Sequence, residues 1–186
     1  MKNFPTLTTE RLRLDLPAVS DIPTIIRLAG DKKVEIGTLA MPHPYEEADA
    51  IFWLNMARTG FRNQSSCIFA IRLKSSGELI GGMGLHRKDG GTHRAEIGYW
   101  LGVPFWGNGY APEALRAVLC YGFDTLELHK IFGVHFSDNP ASGRVMQKSG
   151  MLHEGTLVDH VKKGDTLKTL HHYRLLRSEF VASQSA

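Results

Sequence analysis

The chain is poor in the features that would commit it to several large protein classes. Its two cysteines, Cys67 and Cys120, stand far apart with no C-x-x-C spacing, which argues against a disulfide framework or a zinc ribbon and suits a reducing compartment. No stretch approaches the roughly 20 apolar residues of a membrane-spanning helix, and Met1-Lys2-Asn3-Phe4-Pro5 has no apolar segment of the secretory type. No run of four or more Lys/Arg occurs, so the charge stripe expected of a nucleic-acid binder is missing. Repeats and low-complexity tracts are absent too. The expectation is a soluble, cytoplasmic protein with neither a nucleic-acid nor a membrane partner.

What remains is an ordinary globular composition. Across 186 residues, 42% are hydrophobic and 22% charged, enough chain for one domain with a sizeable core. The net charge of +3 is compatible with an anionic small ligand. We expect a single domain over residues 1–180, followed by a frayed tail at 181–186.

Periodicity outlines the elements. Arg11 to Leu16 alternates polar and apolar residues as a half-buried strand does. Ser20-Asp-Ile-Pro23 has the composition of a helix start, with Ser20 as cap, leading to about Gly30. After Pro42 and Pro44, Tyr45 to Phe61 reads as a helix presenting Ala48, Ile51, Phe52 and Met56 on one side. Cys67–Leu73, Leu79–Leu85 and Arg94–Leu101 read as strands, joined by turns at Lys74–Glu78 and Asp89–Gly91. Pro112 to Phe123 is a helix whose buried stripe is Leu115, Val118, Leu119 and Phe123. Lys130–Phe136 is a strand and Pro140–Ser149 a helix stopped by Gly150. A hairpin, Leu152–Val161 and Leu167–Leu176, closes the order. Hairpins followed by a β-α-β unit imply an α/β fold, a mixed sheet with helices on its faces.

The segment from His93 to Pro112 carries the most chemistry. It runs from a strand, through a loop holding Gly107 and Gly109, to the start of a helix. Such a junction presents unpaired backbone N–H groups and the positive end of a helix dipole, and glycine lets backbone approach a phosphate. A tight turn that needs glycine for its dihedrals would look the same in isolation. Neither a G-x-G-x-x-G nor a G-x-x-x-x-G-K-[ST] pattern is present.

The longer string is more specific. Glu96-Ile-Gly-Tyr-Trp-Leu101, Trp106-Gly-Asn-Gly-Tyr-Ala111 and Glu113-Ala114 resemble the acetyl-CoA motif of the GNAT superfamily in its RimJ/RimL-like branch. Some forty residues on, Asn139-Pro-Ala-Ser-Gly-Arg-Val-Met-Gln-Lys-Ser-Gly-Met151 resembles that branch's second cofactor segment. The likeness extends from Leu7 to about Phe180. It implies a mostly antiparallel mixed sheet of about seven strands with a central parallel pair, about four helices, and acetyl-CoA as cosubstrate without a metal. It places the pyrophosphate on the amides of Trp106, Gly107, Asn108, Gly109, Tyr110 and Ala111. The pantetheine arm would lie along Leu101-Gly-Val103, with a bulge at Gly102, and Asn139 would reach its amide. Trp106 stands where the superfamily at large has Gln or Arg, and Pro112 where many relatives have Thr or Ser, removing one N–H and one hydroxyl. Arg144 and Lys148 are candidates for the 3′-phosphate, or else solvated helix charges.

The implied reaction is direct acetyl transfer to a primary amine in a ternary complex. A lysine-like amine with pKa ~10.4 is neutral about one time in a thousand at pH 7, whereas an N-terminal amine with pKa ~7.7–8.0 needs little help from a base. Glu96 is the candidate general base, or a structural carboxylate paired to Arg94 or a neighbouring strand. His86 and His160 are secondary candidates. Ser142 is the candidate donor to the leaving thiolate, or a helix cap; Tyr110 or Tyr173 could stand in for it. His171 and His172 are strand neighbours pointing to opposite faces, so they cannot chelate one metal ion. The acceptor is either a protein N-terminal α-amine or a small-molecule amine, with Tyr45, Trp53, Phe61 and His160 as candidate pocket residues. A non-catalytic acyl-CoA-binding module and a homodimer are further options the resemblance leaves open.

Overall fold

The computed structural model describes residues 3–88 and 92–184; the turn expected at Asp89–Gly91 and the last two residues of the expected tail lie outside these. Eight strands form one sheet: β1 (Leu7–Thr8), β2 (Leu12–Asp15), β3 (Ser66–Leu73), β4 (Leu79–Lys88), β5 (Arg94–Leu101), β6 (Lys130–Phe136), β7 (Leu152–Lys163) and β8 (Thr166–Leu176). Their order is β1-β2-β3-β4-β5-β6-β8-β7. Every pairing is antiparallel except β5 with β6. The helices are α1 (Ile22–Ala29), α2 (Lys32–Ile36), α3 (Glu47–Arg62), α4 (Tyr110–Cys120), α5 (Pro140–Lys148) and α6 (Arg177–Gln184).

The mixed α/β sheet with one parallel pair is the fold expected. Three short elements add to it. β1 has two residues and α2 five, too short for periodicity to register. α6 reaches Gln184, so Val181–Gln184 are helical where a frayed tail was expected; Phe180 stacks on Phe123 at 4.9 Å and anchors it.

The sheet is covered on both faces over its centre. On one, α4 delivers Leu115, Val118 and Leu119, with Phe123 beyond it, onto Phe69, Ile71, Met83, Leu85 and Ile97. On the other, α1 and α3 pack Ile25, Leu28 and Leu54 against Ala70 and Leu79. β3 and β4 are accordingly buried for nearly their whole length, as strands in the middle of a three-layer structure must be. β7 lies on the edge and is exposed through most of its length.

Two local expectations need correction. The buried stripe of α3 is Ala50, Leu54, Ala57 and Gly60, whereas Ile51 and Phe52 are exposed and Ala48 faces solvent. Small residues win the inner side because the helix lies close to the sheet; a Cβ at Gly60 would meet the Ser66 hydroxyl at 1.9 Å. Ser20 is not the cap of α1 but sits within a 3₁₀ turn, Val19–Asp21. Asp21 organises that turn: it accepts from the Ala18 amide at 2.8 Å and takes both Arg72 Nη1 and Nη2, at 2.8 and 2.7 Å.

Candidate active site

The parallel pair is held for only three residues, Arg94↔Lys130, Ala95↔Ile131 and Glu96↔Phe132. Beyond it β5 stays paired to β4 as far as Gly81↔Leu101 and β6 stays paired to β8 as far as Phe136↔Leu170. β5 and β6 therefore splay, and the β6-facing edge of β5 past Ile97 has no strand partner. Gly133 marks the crotch, where a Cβ would meet Ile97 Cγ2 at 2.9 Å and Met146 Sδ at 3.2 Å. An open sheet edge is a row of unpaired donors and acceptors, a ready surface for an extended amide-bearing chain.

At the mouth of the splay, Val103–Phe105 form a 3₁₀ turn and the chain enters α4 through Gly107 and Gly109. Both glycines have positive φ, +79° and +78°, a backbone that other residues enter only at a cost. Among the described residues, the amides of Gly107, Asn108, Gly109, Tyr110 and Ala111 donate to no protein acceptor. These are five of the six amides expected to hold an anion at Trp106 to Ala111; the Trp106 amide is used internally, on Val103 O at 3.1 Å. The Trp106 indole N–H donates to Leu101 O at 2.8 Å and folds the loop back over the strand end.

The loop has a support that sequence reasoning missed. Arg11 on the far side donates from Nη1 to Asn108 O at 3.0 Å, from Nε to Glu113 Oε2 at 2.7 Å and from its own amide to Glu113 Oε1 at 2.9 Å. Its guanidinium lies 4.7 Å over the Tyr110 ring, and Thr9 also donates to Glu113. Burial would raise the Glu113 pKa, but these donors outweigh it and hold the carboxyl below its ordinary range. Arg11 is about 100 residues from its partners, and only its charge hinted at such a role.

The expected bulge at Gly102 is not there. β5 runs in regular register to Leu101, the Gly102 amide donates to Ile80 O at 2.9 Å, and Val103 already belongs to the 3₁₀ turn. Glycine suits 102 for a different reason: a Cβ would meet Leu28 Cδ2 at 2.7 Å, so the Leu28 side chain would have to shift.

Across the splay, α5 starts at the Asn139 cap, whose Oδ1 accepts from the Ser142 amide at 3.3 Å while Nδ2 donates to Gly37 O at 3.3 Å. The Ser142 hydroxyl and the Tyr99 hydroxyl are 2.9 Å apart, and Tyr99 also donates to Ser142 O at 2.9 Å. Tyr99, on β5, thus bridges the two arms. Burial pushes its phenol well above the ordinary range. Sequence reasoning named Tyr110 and Tyr173 instead; Tyr110 lies under Arg11, and Tyr173 is buried, with its hydroxyl accepting from Gln147 Nε2 at 3.1 Å. The C-terminal end of α2 closes the same region: Lys163 Nζ donates to the carbonyls of Glu35 and Thr38 and lies 2.9 Å from Glu35 Oε1.

Glu96 points to the face carrying α1 and α3, directly across from His86, and is paired with Lys88 at 2.8 Å, the neighbouring-strand arrangement held open for it. Burial lowers the His86 pKa. His160 is exposed on the edge strand, and Arg144 and Lys148 are exposed on α5. Of the expected pocket residues, Tyr45 is buried among the α1 and α3 side chains, Phe61 packs on Phe4 at 4.8 Å, and Trp53 meets Trp100 edge-on at 6.1 Å. Tyr45 and Phe61 are packing residues.

Free loop amides at one end of an open sheet edge are the arrangement that suits an elongated ligand, anionic at one end and amide-bearing along its length. Residues 11–152 match the acetyltransferase (GNAT) domain family. An uncharacterized N-acetyltransferase of Bacillus subtilis, YoaA, is 30% identical over 94% of this chain and 98% of its own length. A ribosomal-protein-serine acetyltransferase of Escherichia coli is 35% identical over 43% of this chain and 45% of its length. A GNAT acetyltransferase structure from Bacillus anthracis superposes with TM-score 0.82 at 27% identity, over 94% of this chain and 99% of that one. The chain belongs to the GNAT acetyltransferases. It is an acetyl-CoA-dependent N-acetyltransferase, and the splay with its glycine loop fits that cosubstrate.

Proposed function

We propose that the protein transfers the acetyl group of acetyl-CoA directly to a primary amine, with both substrates bound together. The observation that carries this reading is the splay itself, which offers an unpaired β5 edge beside five unpaired loop amides. The amides of Gly107 to Ala111 would hold the diphosphate, supported by the α4 dipole. Leu101 and the open β5 edge would align the pantetheine arm. In the structure the Asn139 side chain caps α5 and ties down Gly37, so contact with the arm requires sharing or exchanging one of those bonds.

Acetyl-CoA supplies an activated thioester; the chain's part is to orient it and move protons. The Ser142 hydroxyl, 2.9 Å from the Tyr99 hydroxyl, would turn from Tyr99 to donate its proton to the departing thiolate. Tyr99 stays protonated at working pH because its burial disfavours the phenolate. Glu96 lies on the opposite face as one candidate acceptor for the proton of the incoming amine, a role that would require its release from Lys88.

The acceptor we favour is an N-terminal α-amine, in keeping with the relative that acts on ribosomal protein and with the small demand such an amine makes on a base. The test is acetyl-CoA turnover, read by thiol release, on peptides with free N-termini and on small amines such as spermidine. Transfer to peptides is expected. Transfer to small amines alone would overturn the acceptor, and coenzyme A binding without turnover on any amine would overturn the enzyme reading.

A further inference from the structure

The uncovered part of the sheet face that carries Glu96 holds a second proton-handling group. Register sets out a row across this face, Val134 on β6, His172 on β8 and Gly155 on β7, with His172 opposite both Val134 and Gly155, and alternation puts Gly98 of β5 on the same face across the splay. The row lies just past the last β5–β6 pair, at the crotch of the splay. Its floor is low. A Cβ added at Gly98 or at Gly155 would meet nothing within 4 Å.

His172 stands over this trough with its ring stacked on Phe132, centroids 5.0 Å apart and planes 14° apart. Phe132 is the register partner of Glu96. β7 is bulged here: His153 pairs with Tyr173 and Gly155 with His172, leaving Glu154 as the extra residue. Bulges re-aim side chains, and this one brings Glu154 Oε2 to 3.1 Å from His172 Nδ1. The contact is a close approach rather than a formed hydrogen bond, since Nδ1 has no partner with hydrogen-bond geometry among the described residues, and it becomes an ion pair when the ring takes up a proton. Gly155, opposite the imidazole, contributes no side chain there.

We propose that His172, oriented by Glu154, accepts the proton of the incoming amine on the open face of the splay. His172 would be the catalytic residue of this step and Glu154 a positioning residue; the inference rests on the transferase reading above. The ammonium N–H bond breaks and its proton goes to Nε2, which leaves a neutral amine. The nitrogen lone pair then forms the C–N bond as the thioester C–S bond breaks. The second amine proton ends on the departing sulfur, and the imidazolium returns its proton to water.

The charged groups facing His172 are Glu154 on β7, Lys130 on β6, Glu96 on β5 and Arg174 on its own strand. Lys130 Nζ holds both Glu154 oxygens, at 2.6 and 2.7 Å, which keeps Glu154 ionised and fixed. Burial outweighs the carboxylates and lowers the His172 pKa, so the imidazole is neutral and able to accept near pH 7. Glu96 is engaged by Lys88 and Glu154 by Lys130, whereas His172 has no cation bonded to it among the described residues.

The test compares wild type, H172Q and E154Q in acetyl-CoA turnover across pH 5.5–9, with peptides bearing free Ser, Ala and Met N-termini and with spermidine. Coenzyme A affinity is measured alongside by calorimetry. The expected result for H172Q is a loss of about 10²-fold in turnover at pH 7, a general-base effect, with coenzyme A affinity unchanged and the ionisation on the acid limb gone. E154Q should retain that limb but displace it to lower pH, which a merely structural role would not do. H172Q turnover within about twofold of wild type, on an unchanged pH profile, would overturn the role of His172 while leaving the transferase reading intact. Wild-type coenzyme A binding with no turnover on any of these amines would overturn that reading and this inference together.

Discussion

Replacing Glu113 by Gln tests the link between the glycine loop and the rest of the fold. The carboxylate is 11% exposed and takes donors from the Thr9 hydroxyl, the Arg11 amide and the Arg11 guanidinium. Gln keeps the shape and one acceptor oxygen but turns an NH₂ toward the guanidinium. One charge-assisted hydrogen bond, worth about 1.5–3 kcal/mol, is lost. Arg11 is 44% exposed, so water screens the pair and partly solvates the stranded cation, which brings the expected loss to about 1–2 kcal/mol. In a chain of this length that corresponds to a fall of about 2–8 °C in Tm.

The sign with pH follows from the lowered pKa of Glu113. Its contribution is fully present above the unfolded carboxyl pKa of about 4.3 and is lost as pH falls through the lower folded value. Urea unfolding of both proteins, followed by tryptophan fluorescence, should show a constant gap from about pH 5.5 to 8 that narrows below about pH 4.3. A gap under about 0.5 kcal/mol at pH 7, or one that persists undiminished in acid, would refute the reasoning. Coenzyme A should also bind E113Q more weakly, because Arg11 ties Glu113 to the Asn108 carbonyl in the middle of the loop.

Three other substitutions probe separate parts of the structure. Gly109→Glu places a side chain at φ +78° and a negative charge among the loop amides, and calorimetry should find coenzyme A binding abolished; retained affinity would remove the loop from the site. Ser142→Ala should lower turnover more than coenzyme A affinity, whereas equal turnover would exclude the hydroxyl from thiolate protonation. Arg72→Met strips both guanidinium bonds from buried Asp21 and should cost about 3–5 kcal/mol in urea unfolding, with a smaller loss when Asp21→Asn accompanies it. Equal losses in the single and double variants would count against an uncompensated buried charge.

Much of the frame is legible along the chain because its causes are local. Leu12 and Leu14 alternate with exposed Arg13, Leu115 to Phe123 recur at helical spacing, and Gly77, Gly150 and Gly164 mark turns by their positive φ. α3 misleads for an equally physical reason. Ile51 and Phe52 are outside, while the buried stripe is Ala50, Leu54, Ala57 and Gly60, with small residues where the helix comes closest to β3. Gly102 was legible as special but not as to cause, since the atom it makes room for, on Leu28, is 74 positions away.

Sequence alone determined the order of strands and helices apart from β1, α2 and α6, the glycine loop at the head of α4 and the membership of Asn139 and Ser142 in one helix start. Each depends on residues within a turn or two of one another. Only the tertiary structure decided which groups meet: Arg11 with Glu113, Tyr99 with Ser142, Lys163 with the end of α2, and Glu154 with His172. Those pairs join separate elements through strand register, a bulge and the point where β5 leaves β6, and such non-local geometry leaves no period or motif in the linear chain.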